Sequence, residues 1–379
     1  MKINYLRNFV EDGRLSMNEY ANDLAEYQKK NFKEAEVSEY TPRINILLNF
    51  LPNNWKLRLA RYINYPLLIK KLSDYDITHV LDHSYAHLVK NIKSKVKILT
   101  VHDLIPLLYE NKEIRDIYNL DGKRSKKKKY LFRYSAKHFK YFDRIIAVSQ
   151  NTKKDILKLT DCPESKITVI HTNIPKEYFN MNIIDKEKIC NKYQIPIKSK
   201  KILISGNGFY KNHITSIKVL ENLLNKNLDA CLVWIGGHKV DITKIKNSKV
   251  LKKIFKIPKV DKKELPAIYK ICDVALVPSL YEGMGLVSLE AMRTGIPVVT
   301  SNTASIPEIV GKEGLTCDPT DDTQITKNII NLLTDKKFYQ KKINDGLIRS
   351  KLFDYDKMHK NIINIYKEEL LKKYQNQII

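Results

Sequence analysis

From Val274 to Ser301 the chain runs through an apolar segment, a glycine-flanked turn, an amphipathic segment and a second apolar segment in close succession. Few folds accommodate that order. Val274-Ala275-Leu276-Val277 and Val298-Val299-Thr300-Ser301 read as strands buried on both faces. Between them Leu286, Leu289 and Met292 supply a helical apolar stripe, and Gly295 followed by Pro297 reads as its stop. Strand, turn, helix and strand make a βαβ unit, whose ligand crevice lies at the carboxyl end of the first strand. Gly283 and Gly285 keep side chains off the backbone where the helix begins. Its unpaired N–H groups and the positive end of its dipole are left to face an anion such as a phosphate.

Two carboxylates, Glu282 and Glu290, stand on either side of that helix start. Eight helical steps would separate them by roughly 12 Å along the axis, the scale of a nucleotide sugar. The spacing suggests a division of labour. Amides of Gly283, Met284, Gly285 and Leu286 would hold a diphosphate, one carboxylate would accept ribose hydroxyls, and the other would accept sugar hydroxyls, carboxylates being pure acceptors. On spacing alone, ordinary helix-start acids that complement the dipole are the commoner reading.

At 379 residues the chain exceeds what one hydrophobic core serves, so two domains are expected. A hydrophobic content of 43% describes a globular protein rather than a disordered or fibrous one. No apolar run of membrane-spanning length occurs, and the start, Met1-Lys2-Ile3-Asn4-Tyr5-Leu6-Arg7, lacks a signal-peptide core. Five widely spaced cysteines show neither metal-ligand spacing nor a disulfide framework. These features point to a cytoplasmic protein. Lys and Arg number 67 against 42 Asp and Glu, a net charge of +25 that calls for an anionic partner.

Two αβ halves are legible. The first runs through strands at Ile3–Leu6, Ile77–Leu81, Val96–Val101 and Arg144–Ser149, with a helix from Asn18 to Lys30 and another from Thr152 to Leu159 capped by Ser149. The second restarts at Lys201–Gly206 and continues through Cys231–Gly237. Asn173 to Lys200, with Pro175 and Pro196, reads as the linker. The expected division is residues 1–180, with a Lys-rich helical segment 355–379, and residues 181–354.

The stretch from Asp273 to Asp318 resembles the donor-binding signature of the family 4 glycosyltransferases, retaining enzymes of the GT-B fold. The resemblance is carried by Pro278-Ser279-Leu280-Tyr281-Glu282-Gly283, the Glu-x7-Glu pair, Glu290-Ala291-Met292, Gly295-Ile296-Pro297-Val298-Val299 and Ile306-Pro307-Glu308-Ile309-Val310-Gly311. It implies an α/β architecture of two Rossmann-like parallel-sheet domains facing an interdomain cleft, with the last helix crossing back to the first domain. It also implies that Glu290 binds the nucleotide ribose, that Glu282 contacts the donor sugar, and that the Gly283–Leu286 backbone holds phosphate. Met284 stands where the family often has Phe, at a position where the backbone does the binding.

Ser205-Gly206-Asn207-Gly208-Phe209-Tyr210-Lys211-Asn212 resembles the family's diphosphate-contacting loop, with Lys211 as the point charge. Asn207 occupies the position that often carries a second basic residue, so more rests on Lys211 and the helix dipole. His102, in Thr100-Val101-His102-Asp103, reads on its own as a structural histidine, but the resemblance places it near the donor sugar. His83 and His87 look like a neighbouring strand end or like packing and capping residues. The implied reaction moves a hexose-type sugar from a nucleoside diphosphate donor to a glycan or lipid-linked acceptor, with retention. No Asp-x-Asp step sits in a family-like metal site, so no metal and no cofactor beyond the nucleotide sugar is expected.

Two basic, aromatic stretches, Trp55 to Lys71 and Gly122 to Phe142 with its run Lys126 to Lys129, suit peripheral contact with the anionic inner face of a cytoplasmic membrane, or a lysine-biased surface. Two other classes fit less well. The basic charge invites nucleic acid, but no recognition motif accompanies it. A dinucleotide-dependent oxidoreductase needs Gly-x-Gly-x-x-Gly, and Gly206-Asn207-Gly208 followed by Lys211 fails at the third glycine.

Overall fold

The computed structural model describes residues 1–45, 50–72, 74–108, 126–174, 178, 185–237, 242, 245 and 247–378. Its strands form two six-stranded sheets in which every pairing is parallel. The first contains β1 (Lys2–Leu6), β2 (Glu36–Tyr40), β3 (Ile77–Val80), β4 (Val96–Val101), β5 (Arg144–Ala147) and β6 (Ile167–Val169), in the order β2-β1-β3-β4-β5-β6. The second contains β7 (Lys200–Ser205), β8 (Ala230–Ile235), β9 (Ile254–Ile257), β10 (Val274–Val277), β11 (Val298–Ser301) and β12 (Leu315–Cys317), in the order β12-β11-β10-β7-β8-β9.

Parallel strands covered on both faces must be apolar throughout. The central strands obey this: all four residues of β10 and all four of β3 are buried. Strand order decides where chemistry can sit. In the second sheet the chain winds outward from β7 through β8 to β9, then returns to lay β10 on the other side of β7. The crossovers on the two sides of this point diverge, so a crevice opens at the carboxyl ends of β7 and β10. The first sheet reverses in the same way between β1 and β3.

The chain divides into two units, Met1–Thr172 with Asp356–Ile379, and Asn173–Tyr355. The long helix Tyr355–Ile378 packs within the first unit. Its Met358, Ile362, Ile365, Tyr366 and Leu370 recur at helical spacing and are buried with Ile3, Tyr5, Leu24, Ile77 and Ile98. A hydrogen bond of 2.6 Å joins Tyr366 Oη to His79 Nδ1, and His79 Nε2 lies 2.8 Å from Thr100 Oγ1. Ser149 caps the helix Gln150–Leu159, its Oγ accepting from Thr152 N. Pro175 and Gly122 to Arg124 lie outside the described residues, as do the side chains of Lys126 to Lys129.

Candidate active site

After β7 the chain turns at Gly206, whose φ of +94° lies in the region that glycine alone adopts without strain. Its N–H donates to Ile235 O and its carbonyl accepts from Trp234 Nε1, both at 2.9 Å. A Cβ on this residue would come within 3.1 Å of Lys211 Cε and 3.3 Å of Lys211 Cγ. The missing side chain is therefore what lets Lys211 fold back over the loop. Asn212, at φ +53°, then opens the helix His213–Asn225.

After β10 the segment Ser279 to Gly285 lies at the same carboxyl end of the sheet. Leu280 N donates to Tyr210 O at 2.7 Å, and Lys211 Nζ donates to Glu282 Oε1 at 2.7 Å. Ser279 Oγ reaches the same carboxylate oxygen at 2.6 Å, and Ser305 Oγ holds the Glu282 carbonyl at 3.0 Å. Gly285, at φ +80°, precedes the helix Leu286–Thr294. The first intrahelical bonds run from Ser288 N and Leu289 N to Gly285 O, so the amides of Leu286 and Val287 come before the ladder begins. Burial alone would push the Lys211 ammonium down, but the Glu282 carboxylate beside it, with Tyr210 and Glu290, more than offsets this and raises its pKa above the ordinary value. Lys211 thus stays a cation in a place with little water. Glu290, on the same helix, accepts from Tyr269 Oη at 2.5 Å.

Gly206, Lys211, Glu282, Gly283, Met284, Gly285, Leu286 and Glu290 are accordingly brought to one loop pair and one helix of the second unit. His102 belongs to the first unit, immediately beyond β4. Its Nε2 lies 2.9 Å from Leu81 O, which can only accept, so Nε2 carries the proton and Nδ1 is the lone-pair nitrogen. The Tyr20 ring meets it edge-on at 5.0 Å. Burial lowers the His102 pKa, against smaller raising contributions from Asp82 and the Leu81 carbonyl, and keeps the ring neutral.

His83 accepts from His102 N through Nδ1 at 3.3 Å and is pushed down to about 3 by burial, so its 3.8 Å approach to Asp82 is no ion pair. Asp82 instead pairs with Arg14 at 2.8 Å, accepts from Asn8 Nδ2 at 2.7 Å and caps Ser84 N. His87 packs on Tyr62 with ring centroids 4.6 Å apart. Motif spacing singles out neither Tyr269 nor the Arg14–Asp82 pair. The one signal for Tyr269 is a phenol beside Ile268 in the mostly apolar segment Leu265 to Ile271.

Among the described residues, no group of three or more His, Cys, Asp and Glu side chains is arranged to hold a metal ion. Nor is any helix among them long and apolar enough to cross a membrane.

Comparison with known proteins identifies the two halves separately. Residues 20–177 match the family model "Glycosyltransferase Family 4", and residues 185–347 match "Glycosyl transferases group 1". An uncharacterized glycosyltransferase of Methanocaldococcus jannaschii is 26% identical over 357 residues, covering 91% of this chain and 87% of that protein. The O-antigen chain mannosyltransferase B of Escherichia coli is 28% identical over 59% of this chain and 60% of its own length. A serotype-specific mannosyltransferase WbdA of Escherichia coli is 25% identical over 74% of this chain, which spans only 35% of that longer protein. Among solved structures, a sucrose-phosphate synthase from Thermosynechococcus elongatus superposes with a TM-score of 0.72 at 15% identity, over 97% of this chain and 98% of the other. Anabaena HepE in complex with UDP and glucose does so with a TM-score of 0.72 at 16% identity, over 97% and 100%. Two matched halves, parallel sheets in both units and shared architecture over nearly the whole length lead to one assignment: the chain is a family 4 glycosyltransferase of the GT-B fold.

Proposed function

We propose that this glycosyltransferase moves a hexose-type sugar, with retention and without a metal, from a nucleoside diphosphate donor onto a glycan or lipid-linked acceptor in polysaccharide synthesis. The observation that carries this reading is the Lys211–Glu282 pair at the β7/β10 reversal, beside the Gly283–Leu286 helix start. A cation and the positive end of a helix at one point suit a leaving diphosphate, whose charge grows as the glycosidic bond breaks. Once the phosphates draw Lys211, Glu282 is free to accept hydroxyls of the donor sugar, and Glu290 accepts those of the ribose. On the first unit His102, neutral with its lone pair on Nδ1, is suited to accept a hydroxyl hydrogen bond. No carboxylate is assigned as a nucleophile. Mannose is the sugar favoured by the named relatives, O-antigen chain mannosyltransferase B and serotype-specific WbdA.

The first unit supports a peripheral membrane role. Trp55, Ile63 and Leu67 are exposed beside Arg58 and Lys70, and Tyr130, Tyr134 and Tyr141 are exposed on the adjoining segment, joined to it by the bond from Tyr62 Oη to Leu131 O at 3.3 Å. Aromatic rings among cations give interfacial anchoring to an anionic surface. The test of the reaction is a donor-hydrolysis screen over UDP-, GDP- and dTDP-sugars, in EDTA and in magnesium, with and without membrane extract. One active donor that survives EDTA is the expected result. Activity restored only by magnesium would contradict the metal-free mechanism.

A further inference from the structure

Tyr269 is almost fully buried on the helix Leu265–Ile271, and Tyr178 meets its ring edge-on at 6.0 Å. A phenol that deep must give a hydrogen bond to an acceptor or leave its hydroxyl unsatisfied. It gives it to Glu290 Oε2, at 2.5 Å, the length of a charge-assisted O–H···O⁻ bond. We propose that Tyr269 is a positioning residue for nucleotide recognition: its hydroxyl holds one oxygen of Glu290 so that the carboxylate is presented in a single orientation to the two adjacent hydroxyls of the nucleotide's ribose. The inference rests on the reading of Glu290 as the ribose ligand.

The physical argument is one of preorganisation. A glutamate has three side-chain torsions, and an unpinned carboxylate near a helix surface samples several of them, so gripping a vicinal diol would first require ordering it. The Tyr269 bond does that ordering before the nucleotide arrives. Burial, with the Glu290 charge adding to it, lifts the phenol pKa well above its ordinary value, so the hydroxyl remains a donor throughout the working pH range. Tyr269 itself touches no substrate in this scheme. It acts only through Glu290, so its removal should erode discrimination between ribose and deoxyribose rather than general affinity.

The experiment measures binding of UDP and GDP, and of the 2′-deoxy and 3′-deoxy forms of whichever binds wild type more tightly, to wild type, Tyr269→Phe and Glu290→Gln. Wild type should bind the deoxy forms about tenfold more weakly, the value of one lost hydrogen bond to a charged group. In Tyr269→Phe the parent nucleotide should weaken and this deoxy penalty should shrink at least threefold. Equal weakening of parent and deoxy forms would mark a merely structural tyrosine and overturn the proposal. So would a penalty that Glu290→Gln abolishes and Tyr269→Phe leaves intact, a result that spares the ribose reading. If Glu290→Gln leaves the penalty intact, the ribose reading itself falls and takes the proposal with it.

Discussion

Lys211 and Glu282 are ion-paired at 2.7 Å although 71 residues separate them in the chain. In the resting enzyme the candidate phosphate ligand and the candidate sugar ligand satisfy each other, so a nucleoside diphosphate must compete with Glu282 for the ammonium. Glu282→Gln removes the competing charge and one source of repulsion towards phosphate. Calorimetry should show tighter binding of the free nucleoside diphosphate, by about 1 kcal/mol, while turnover with the sugar donor falls. Weaker nucleotide binding in this variant would contradict the competition.

Lys211→Met should cost folding stability as well as activity, which a solvated surface lysine would not. It strands the Glu282 carboxylate in a nearly buried site with Ser279 as its side-chain donor. Breaking a buried pair from one side costs about 3 kcal/mol, whereas the double variant Lys211→Met/Glu282→Gln should recover most of that loss. Denaturant midpoints of the three proteins decide the matter.

His102→Ala should lower kcat at least tenfold while leaving the affinity for free nucleoside diphosphate unchanged, because the candidate nucleotide ligands all belong to the second unit. A matching loss of nucleotide affinity would place His102 at a different part of the donor.

Acid should destabilise the first unit before the second. Burial pushes His79 and His83 down to about 3 and His87 to about 4 in the first unit, and His213 to about 4 in the second. Unfolded, each takes up a proton near pH 6.5; folded, each stays neutral until pH 3–4. The unfolded state therefore binds more protons between these limits, and stability falls as pH drops through them, by about 1.4 kcal/mol per pH unit for each histidine. Hydrogen exchange at pH 7 and pH 5 should show a larger loss of protection in β1, β3 and β4 than in β7, β8 and β10. Equal losses would contradict the assignment.

Substituting Lys126, Lys127, Lys128 and Lys129 by Gln, or Trp55 and Ile63 by Ser, should each reduce sedimentation with anionic vesicles, and salt should mimic only the lysine change. Turnover on a short water-soluble acceptor should be unaffected. A wild-type protein that ignores anionic vesicles at low salt would make the +25 charge a surface habit and the acceptor a soluble one.

The parts of the fold legible in the chain were those with a continuous apolar run. Val274–Val277 and Val96–Val101 lie at the middle of their sheets; the first is apolar throughout, and the second is interrupted only by Lys97 and Thr100. The edge strands escape that signal. Glu36–Tyr40 carries two glutamates and has no fully buried residue, and Leu315–Cys317 is three residues long. The candidate site shows the same division. Glu282, Glu290 and the glycines are local motif features, but the contact of Lys211 with Glu282 depends on β10 returning beside β7, and no periodicity encodes strand order. Tyr269 was invisible for a further reason: a buried tyrosine looks like core until its hydroxyl partner is known.

The docking of the helix Tyr355–Ile378 on the first sheet has a consequence for biosynthesis. The first unit is assembled from the two ends of the chain, with the whole of the second unit spliced between them. While the ribosome is still making residues 173–355, Ile3, Tyr5, Ile77 and Ile98 lack the helix that covers them, and His79 lacks Tyr366. The second unit is continuous in sequence and needs nothing beyond its own residues 173–355, whereas the first has to wait for the helix. Order of synthesis and order of maturation are therefore opposite: the half that emerges first is finished last, and its uncovered sheet is the surface that most needs protection from aggregation in the interval.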